Sequence, residues 1–192
     1  METVVLTAFA ESANVKQQFA REHVDRIVQV ARLIANAFNN GNKVLLFGNG
    51  GSSTDAAHIA AEFVGRYRRD RVPLPAIALA TDIAAITCIA NDYGYEELFA
   101  RQVRAHGRTG DIAIGISTSG NSPNVLKGVA AARECGLITV AWTGGSGGTL
   151  AGLVDYPFIV PSTLTSRIQE SHITLGHVLC ELIEDHLLGN AS

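Results

Sequence analysis

Lys43-Val44-Leu45-Leu46-Phe47-Gly48-Asn49-Gly50-Gly51-Ser52 decides the architecture. Val44 to Phe47 are apolar in succession, so both faces of the strand are buried, and they run straight into a glycine-rich polar turn. A helix-compatible stretch follows through Tyr67. A strand covered on both faces and followed by a helix is the unit of a parallel sheet with helices on either side.

The same unit recurs outward from this point. Ala76–Leu79, Asp111–Ile116, Leu137–Trp142 and Pro157–Val160 read as four more strands. Helical stretches lie around 83–90 and 96–105, from Pro123 to Cys135 before Gly136, and from about Ser166 to Leu188. On the N-terminal side, about Val5 to Asn39 lacks strand-like runs, and Ile27, Val28, Val30, Ala31, Leu33 and Ile34 recur at helical spacing until Asn39-Asn40-Gly41-Asn42 stops the helix. No linker, repeat or low-complexity tract interrupts the chain. The expectation is one α/β domain over residues 1–192, with a helical extension at 1–41 and a doubly wound five-stranded parallel sheet at 42–192. Because sheet helices already cover both faces, the stripe from Ile27 to Phe38 and the apolar last helix are expected to pack on another subunit.

Composition bounds the function. The 192 residues are 47% apolar and 17% charged, with 19 glycines, which suits a well-buried α/β core. A net charge of −3 gives no global attraction for nucleic acid. The four arginines at 66, 68, 69 and 71 read as a solvated helix end. The three cysteines, Cys88, Cys135 and Cys180, are far apart in apolar stretches and are expected as reduced core residues. The first lysine is Lys16, so no signal peptide is expected, and no apolar run approaches the roughly 18–20 residues that span a bilayer. A soluble cytoplasmic protein with no membrane or nucleic-acid partner follows.

Ligands of such sheets bind beyond the carboxyl ends of the strands. Two of those ends carry phosphate-like chemistry. Gly48-Asn49-Gly50-Gly51-Ser52-Ser53 lets backbone N–H groups approach an anion at a helix N-terminus. It lacks the lysine of a P-loop, and Ser53 stands where a dinucleotide fingerprint has its third Gly or an Ala. Ser117-Thr118-Ser119-Gly120-Asn121-Ser122 offers four hydroxyls in a turn that opens a helix, a neutral cradle for phosphate oxygens. Either turn alone also fits ordinary capping, with Ser119 or Ser122 as the cap. Two such turns on one sheet point to a phosphorylated ligand, one holding phosphate and the other sugar.

Asp55, His58 and Glu62 share a helix face, and His58 and Glu62 lie one turn apart, so imidazole and carboxylate can converge. Apolar neighbours such as Ile59 and Phe63 would desolvate the carboxylate. A surface His–Glu pair has the same spacing. His177 lies in an apolar run of the last helix, where it is either a satisfied core residue or faces a site with Glu62.

From Gly48 to the last helix, about three quarters of the chain, the sequence resembles the SIS (sugar isomerase) domain family of the phosphoheptose isomerase type. The resemblance rests on G-N-G-G-S at Gly48–Ser52, H-x-x-x-E-x-x-x-R at His58–Arg66, N-D-Y-G at Asn91–Gly94, S-T-S-G-N-S at Ser117–Ser122, R-I-Q-E-x-H at Arg167–His172 and G-H at Gly176–His177. It implies a flavodoxin-like sheet and interconversion of sedoheptulose 7-phosphate and D-glycero-D-manno-heptose 7-phosphate in bacterial heptose biosynthesis. It further implies phosphate on Ser117, Thr118, Ser119 and Ser122, and sugar contacts from Asn49, Gly50, Gly51, Ser52, Glu62, Asn91, Asp92 and Gln169. One zinc per subunit is implied on His58, Glu62, Gln169 and His177, with acid–base roles for Glu62 and His177. The assembly implied is a homotetramer with sites at subunit interfaces.

The implied chemistry suits these residue types. Aldose–ketose isomerisation moves a proton between neighbouring carbons through an enediol, which needs a base near neutral pKa and a group that handles charge on oxygen. Two points qualify the pattern. Gln169 and His177 are eight residues apart, about 12 Å along one helix and about 80° around it. Ser166 also stands where some relatives have Asp. The rival readings are a non-enzymatic family member that binds the replication initiator protein, and a sugar-phosphate-sensing regulator. Retention of both Glu62 and His177 speaks for the enzyme, and no DNA-binding module is evident.

Overall fold

The computed structural model describes residues 1–189. Five parallel strands, β1 (Val44–Gly48), β2 (Ala76–Ala78), β3 (Ile112–Ile116), β4 (Ile138–Gly144) and β5 (Tyr156–Val160), pair in the order β2-β1-β3-β4-β5. The order reverses between β1 and β3, whose carboxyl ends lie side by side with Gly48 opposite Ile116. That reversal is where open α/β sheets form their ligand crevice.

Alternation along the strands sorts the core into two layers. Val44, Leu46, Ile114, Ile116, Val140, Trp142 and Phe158 face one side, and Leu45, Phe47, Ala113 and Ala141 the other. The first layer is covered by α1 (Glu2–Asn39), α2 (Gly51–Val64) and α7 (Thr165–Leu188). The second is covered by α3 (Ile83–Tyr93), α4 (Leu98–His106), α5 (Pro123–Glu134) and the single turn α6 (Gly148–Ala151), with a 3₁₀ turn at Tyr95–Glu97. Burying both faces is the reason the strands read as continuous apolar runs.

The stripe on α1 finds its partner within the chain. Phe19, Ile27, Val30, Ala31, Ile34, Ala35 and Phe38 are buried in the α2/α7 layer, and the Phe38 ring meets Phe63 at 5.4 Å. The helix also covers the sheet's last edge, where Arg26 donates to the Pro157 carbonyl at 2.7 Å and His23 Nε2 lies 3.2 Å from the Ile159 carbonyl oxygen. The stripe therefore needs no second subunit. Apolar surface is left instead at the start of the helix, where Val4, Val5, Leu6 and Phe9 are each more than half exposed.

Three further expectations are corrected. Helix α2 stops at Val64 and not Tyr67, because Arg71 caps its last carbonyls and turns the chain toward α7. The arginines at 66–71 thus lie on a connecting loop, where Arg68, Arg69 and Arg71 pair with Glu181, Asp185 and Glu184 of α7. Of the cysteines, Cys180 is core, Cys135 is half-buried and Cys88 is exposed on α3. No helix among the described residues is long and apolar enough to cross a membrane.

Candidate active site

The two polar turns emerge beside each other from β1 and β3. In the serine turn, Ser117 is buried, with its Oγ 3.0 Å from Ser122 Oγ. Ser122 is the N-cap residue of α5, yet its hydroxyl makes no cap hydrogen bond. Ser119 Oγ accepts from the Asn121 N–H at 3.2 Å, a bond within the turn and not a helix cap. Gly120 has φ of 67°, and a Cβ there would sit 2.0 Å from the Gly147 carbonyl oxygen, so only glycine fits.

Beside this turn lies a cavity of about 260 Å³ that carries hydroxyls from Thr118, Ser119, Ser146, Ser162, Thr163 and Thr165, and no cationic side chain in its wall. Hydroxyls with the N-terminus of α5 can hold phosphate oxygens without a counter-charge. The sequence reading missed Ser146, Ser162, Thr163 and Thr165, which come from the loops after β4 and β5 and the first residue of α7 and carry no motif of their own.

The glycine turn is held to the serine turn by an amide pair. Asn49 Nδ2 donates to Asn124 Oδ1 and Asn124 Nδ2 returns a bond to Asn49 Oδ1, both at 2.8 Å, while the Tyr95 hydroxyl donates to Asn49 Oδ1 at 3.0 Å. Asn49 keeps one free N–H for a ligand. Asn124 and Tyr95 were also missed; Asn124 follows the serine turn by two residues, which was the available signal. Asn91 and Asp92 are exposed at the end of α3, joined at 2.7 Å, and Tyr95 ties this segment to Asn49.

Helices α2 and α7 run in the same direction with matched positions. Gly176 packs against Ile59, where a Cβ would sit 2.5 Å from Ile59 Cδ1, so only glycine permits this approach. One result is a three-residue convergence. His58 Nε2 lies 3.2 Å from Glu62 Oε1 and 3.2 Å from His177 Nε2, and the donor atoms of all three lie within 4.8 Å of one another. Four ligands at about 2.05 Å around a tetrahedral ion stand about 3.3 Å apart. The donor set, two imidazoles and a carboxylate with room for a fourth ligand, therefore fits a divalent ion of the zinc class.

Gln169 is placed elsewhere. Its amide lies against Gly51 at the turn end of α2, whereas His58 and Glu62 are about 10 Å and 16 Å further along that helix. One chain thus joins Gln169 to the glycine turn and not to the His58, Glu62, His177 group. Asp55 stays outside that group too, and burial pushes its carboxyl up, partly offset by His58. The His177 imidazole is held below its usual range by burial and then by His58, against the pull of Glu62. The Glu62 side chain is 24% exposed, so a single chain does not wall it off as its apolar neighbours suggested.

The profile of the SIS domain family matches residues 9–144. Over 187 residues the chain is 57% identical to the phosphoheptose isomerase of Thermodesulfovibrio yellowstonii, covering 97% of this chain and 93% of that protein. The chain belongs to the phosphoheptose isomerase family. Its similarity to the phosphoheptose isomerase of Aquifex aeolicus is 58% identity over 177 residues, 92% of this chain and 93% of the other. The solved phosphoheptose isomerase of Neisseria gonorrhoeae superposes with a TM-score of 0.90 at 44% identity, covering 96% of this chain and 98% of that one. The Neisseria gonorrhoeae structure thus matches this chain's fold over nearly the whole length of both chains.

Proposed function

We propose that the chain is an aldose–ketose isomerase that converts sedoheptulose 7-phosphate to D-glycero-D-manno-heptose 7-phosphate, in the cytoplasm, for bacterial lipopolysaccharide and surface-polysaccharide heptose. The observation that carries the reading is the convergence of Glu62 and His177, a carboxylate and an imidazole, at a donor cluster with His58. Ser117, Thr118, Ser119 and Ser122 hold the phosphate, while Asn49, Gly50, Gly51, Ser52, Asn91, Asp92 and Gln169 orient the hydroxyls.

Glu62 and His177 share the proton work. One takes a proton from the carbon beside the carbonyl and returns it to the neighbouring carbon; the other manages the proton on oxygen. Burial and the His58 neighbour favour a neutral His177, able to accept a proton near neutral pH. His58, Glu62 and His177 would hold zinc, and Gln169, held at Gly51 within its own chain, would join them only from another subunit. Bound zinc would polarise the carbonyl oxygen and stabilise charge developing there.

The working unit is a homotetramer with shared sites. Two observations support this. None of His58, Glu62 and His177 lines the serine-turn cavity, and helix α2 sets Glu62 about 16 Å beyond Gly51. A neighbouring subunit can bring its cluster to that cavity. The exposed apolar start of α1 supplies surface for the contact. The adaptor reading is disfavoured because Glu62 and His177 are both present and meet. Assay of sedoheptulose 7-phosphate turnover, with and without chelator, tests the proposal: conversion supports it, and a protein inert toward this substrate under both conditions refutes it.

A further inference from the structure

We propose that Tyr67 is a positioning residue for His177, held in place by the buried Arg71–Glu184 pair; this rests on the reading of His58, Glu62 and His177 as the reactive cluster. Helix α2 ends just after Glu62 and leaves carbonyls without helical partners. Arg71 takes them, donating from Nη2 to the Glu62 carbonyl and from Nη1 to the Phe63 carbonyl, both at 2.8 Å. A guanidinium at a helix C-terminus is favoured by the helix dipole as well as by these bonds.

Glu184 of α7 holds the other side of the turn. Its carboxylate accepts the backbone N–H groups of Tyr67, Arg68 and Arg69, each at 3.0 Å, and its Oε1 lies 3.2 Å from Arg71 Nε. Both side chains are 2% exposed. A buried charge pair whose carboxylate is filled by three backbone N–H groups, and whose guanidinium holds two carbonyls through its Nη atoms, fixes geometry better than it stabilises; Arg71 Nε itself faces Glu184 as an ion pair without a hydrogen bond. What it fixes here is the path from Glu62 to Arg71 against α7.

That path delivers a ring to His177. Tyr67 stacks on the His177 imidazole with centroids 5.4 Å apart and planes at 16°, and Arg68 lies over the same Tyr67 ring while pairing with Glu181. His177 also meets the His58 ring edge-on at 5.0 Å. These two ring contacts restrain the imidazole in the orientation that turns Nε2 toward His58 and Glu62. Tyr67 makes this contact through its face, so its hydroxyl is dispensable.

Tyr67→Leu, Tyr67→Phe and His177→Ala, purified as the full-length oligomer and stripped of metal, are titrated with Co²⁺ and Zn²⁺ and then assayed with sedoheptulose 7-phosphate. The expected result is about a tenfold loss in both metal affinity and kcat for Tyr67→Leu, the loss typical of an outer-shell partner, with KM within about twofold. Tyr67→Phe keeps both values. The double variant Arg71→Met, Glu184→Met, which leaves no lone buried charge, reproduces the Tyr67→Leu loss. Tyr67→Leu matching wild type while His177→Ala is inactive overturns the positioning role alone. Tyr67→Phe falling as far as Tyr67→Leu overturns the stacking basis. His177→Ala with wild-type turnover and metal affinity overturns the cluster reading, and this proposal with it.

Discussion

His58 and His177, on different helices and 119 residues apart, meet Nε2 to Nε2 at 3.2 Å, with Glu62 Oε1 at the same distance from His58. Two imidazole nitrogens and a carboxylate oxygen facing one point need a shared proton or a shared cation. Gly176 makes the meeting possible, because a side chain there would push α7 away from Ile59.

A cation is the better tenant for that point. The purified protein is expected to carry up to one zinc per subunit, and His58→Ala to lower that occupancy, measured by elemental analysis. Full activity in a metal-free protein under strong chelator would remove the zinc role and leave Glu62 and His177 as a metal-independent pair.

Because one chain supplies both Glu62 and His177 to the cluster, subunit mixing has a defined outcome. Mixed oligomers of Glu62→Gln and His177→Ala subunits are expected to stay inactive, since every cluster carries a defect. Mixing Glu62→Gln with a Ser119→Ala, Ser122→Ala subunit should restore part of the activity, because phosphate turn and cluster then come from different chains. Restoration in the first mixture would show that the two residues act from separate subunits.

The serine turn is expected to bind and not to cap. Ser122 makes no cap bond and Ser119 bonds only within the turn, so the double alanine variant should keep its melting temperature to within a few degrees. Its affinity for phosphosugar should fall at least tenfold, at roughly 1 kcal/mol for each hydrogen bond lost. Unchanged binding by calorimetry would reduce both serines to local structure.

His172 gives a pH signature for the fold. It is fully buried, its Nε2 lies 3.2 Å from the Thr143 carbonyl oxygen, and burial lowers its pKa from 6.5 to about 4. The folded state therefore disfavours its charged form, so its contribution is complete above pH 6.5 and is lost as pH falls toward 4. That loss is about 3 kcal/mol. His172→Gln should be less stable than wild type at pH 7, with the gap closing over this window in denaturant titrations. A gap that stays constant would mean that His172 does not titrate there.

The central strands β1, β3 and β4 were legible because they are buried on both faces and so read as continuous apolar runs. The two phosphate-type turns were legible from their own local chemistry. Pairings between helices were not. Nothing in the period of α1 says that Ile27 to Phe38 packs on α7, and nothing near Arg71 points to Glu184, 113 residues away. Gln169 and His177 share a helix and a family pattern, yet the parallel run of α2 and α7 sends one to Gly51 and the other to His58. Asn124 stood in plain view beside the serine turn, but its worth depends on Asn49 across the crevice. Local chemistry can be read along the chain; contact across elements needs the fold.

Turnover of sedoheptulose 7-phosphate by Glu62→Gln tests the central claim most directly. The substitution keeps the shape of the side chain and removes its capacity to take a proton, so kcat should fall at least about 100-fold while fold and oligomer persist. Turnover near the wild-type rate would contradict the assignment of Glu62 as an acid–base group and, with it, the proposed mechanism.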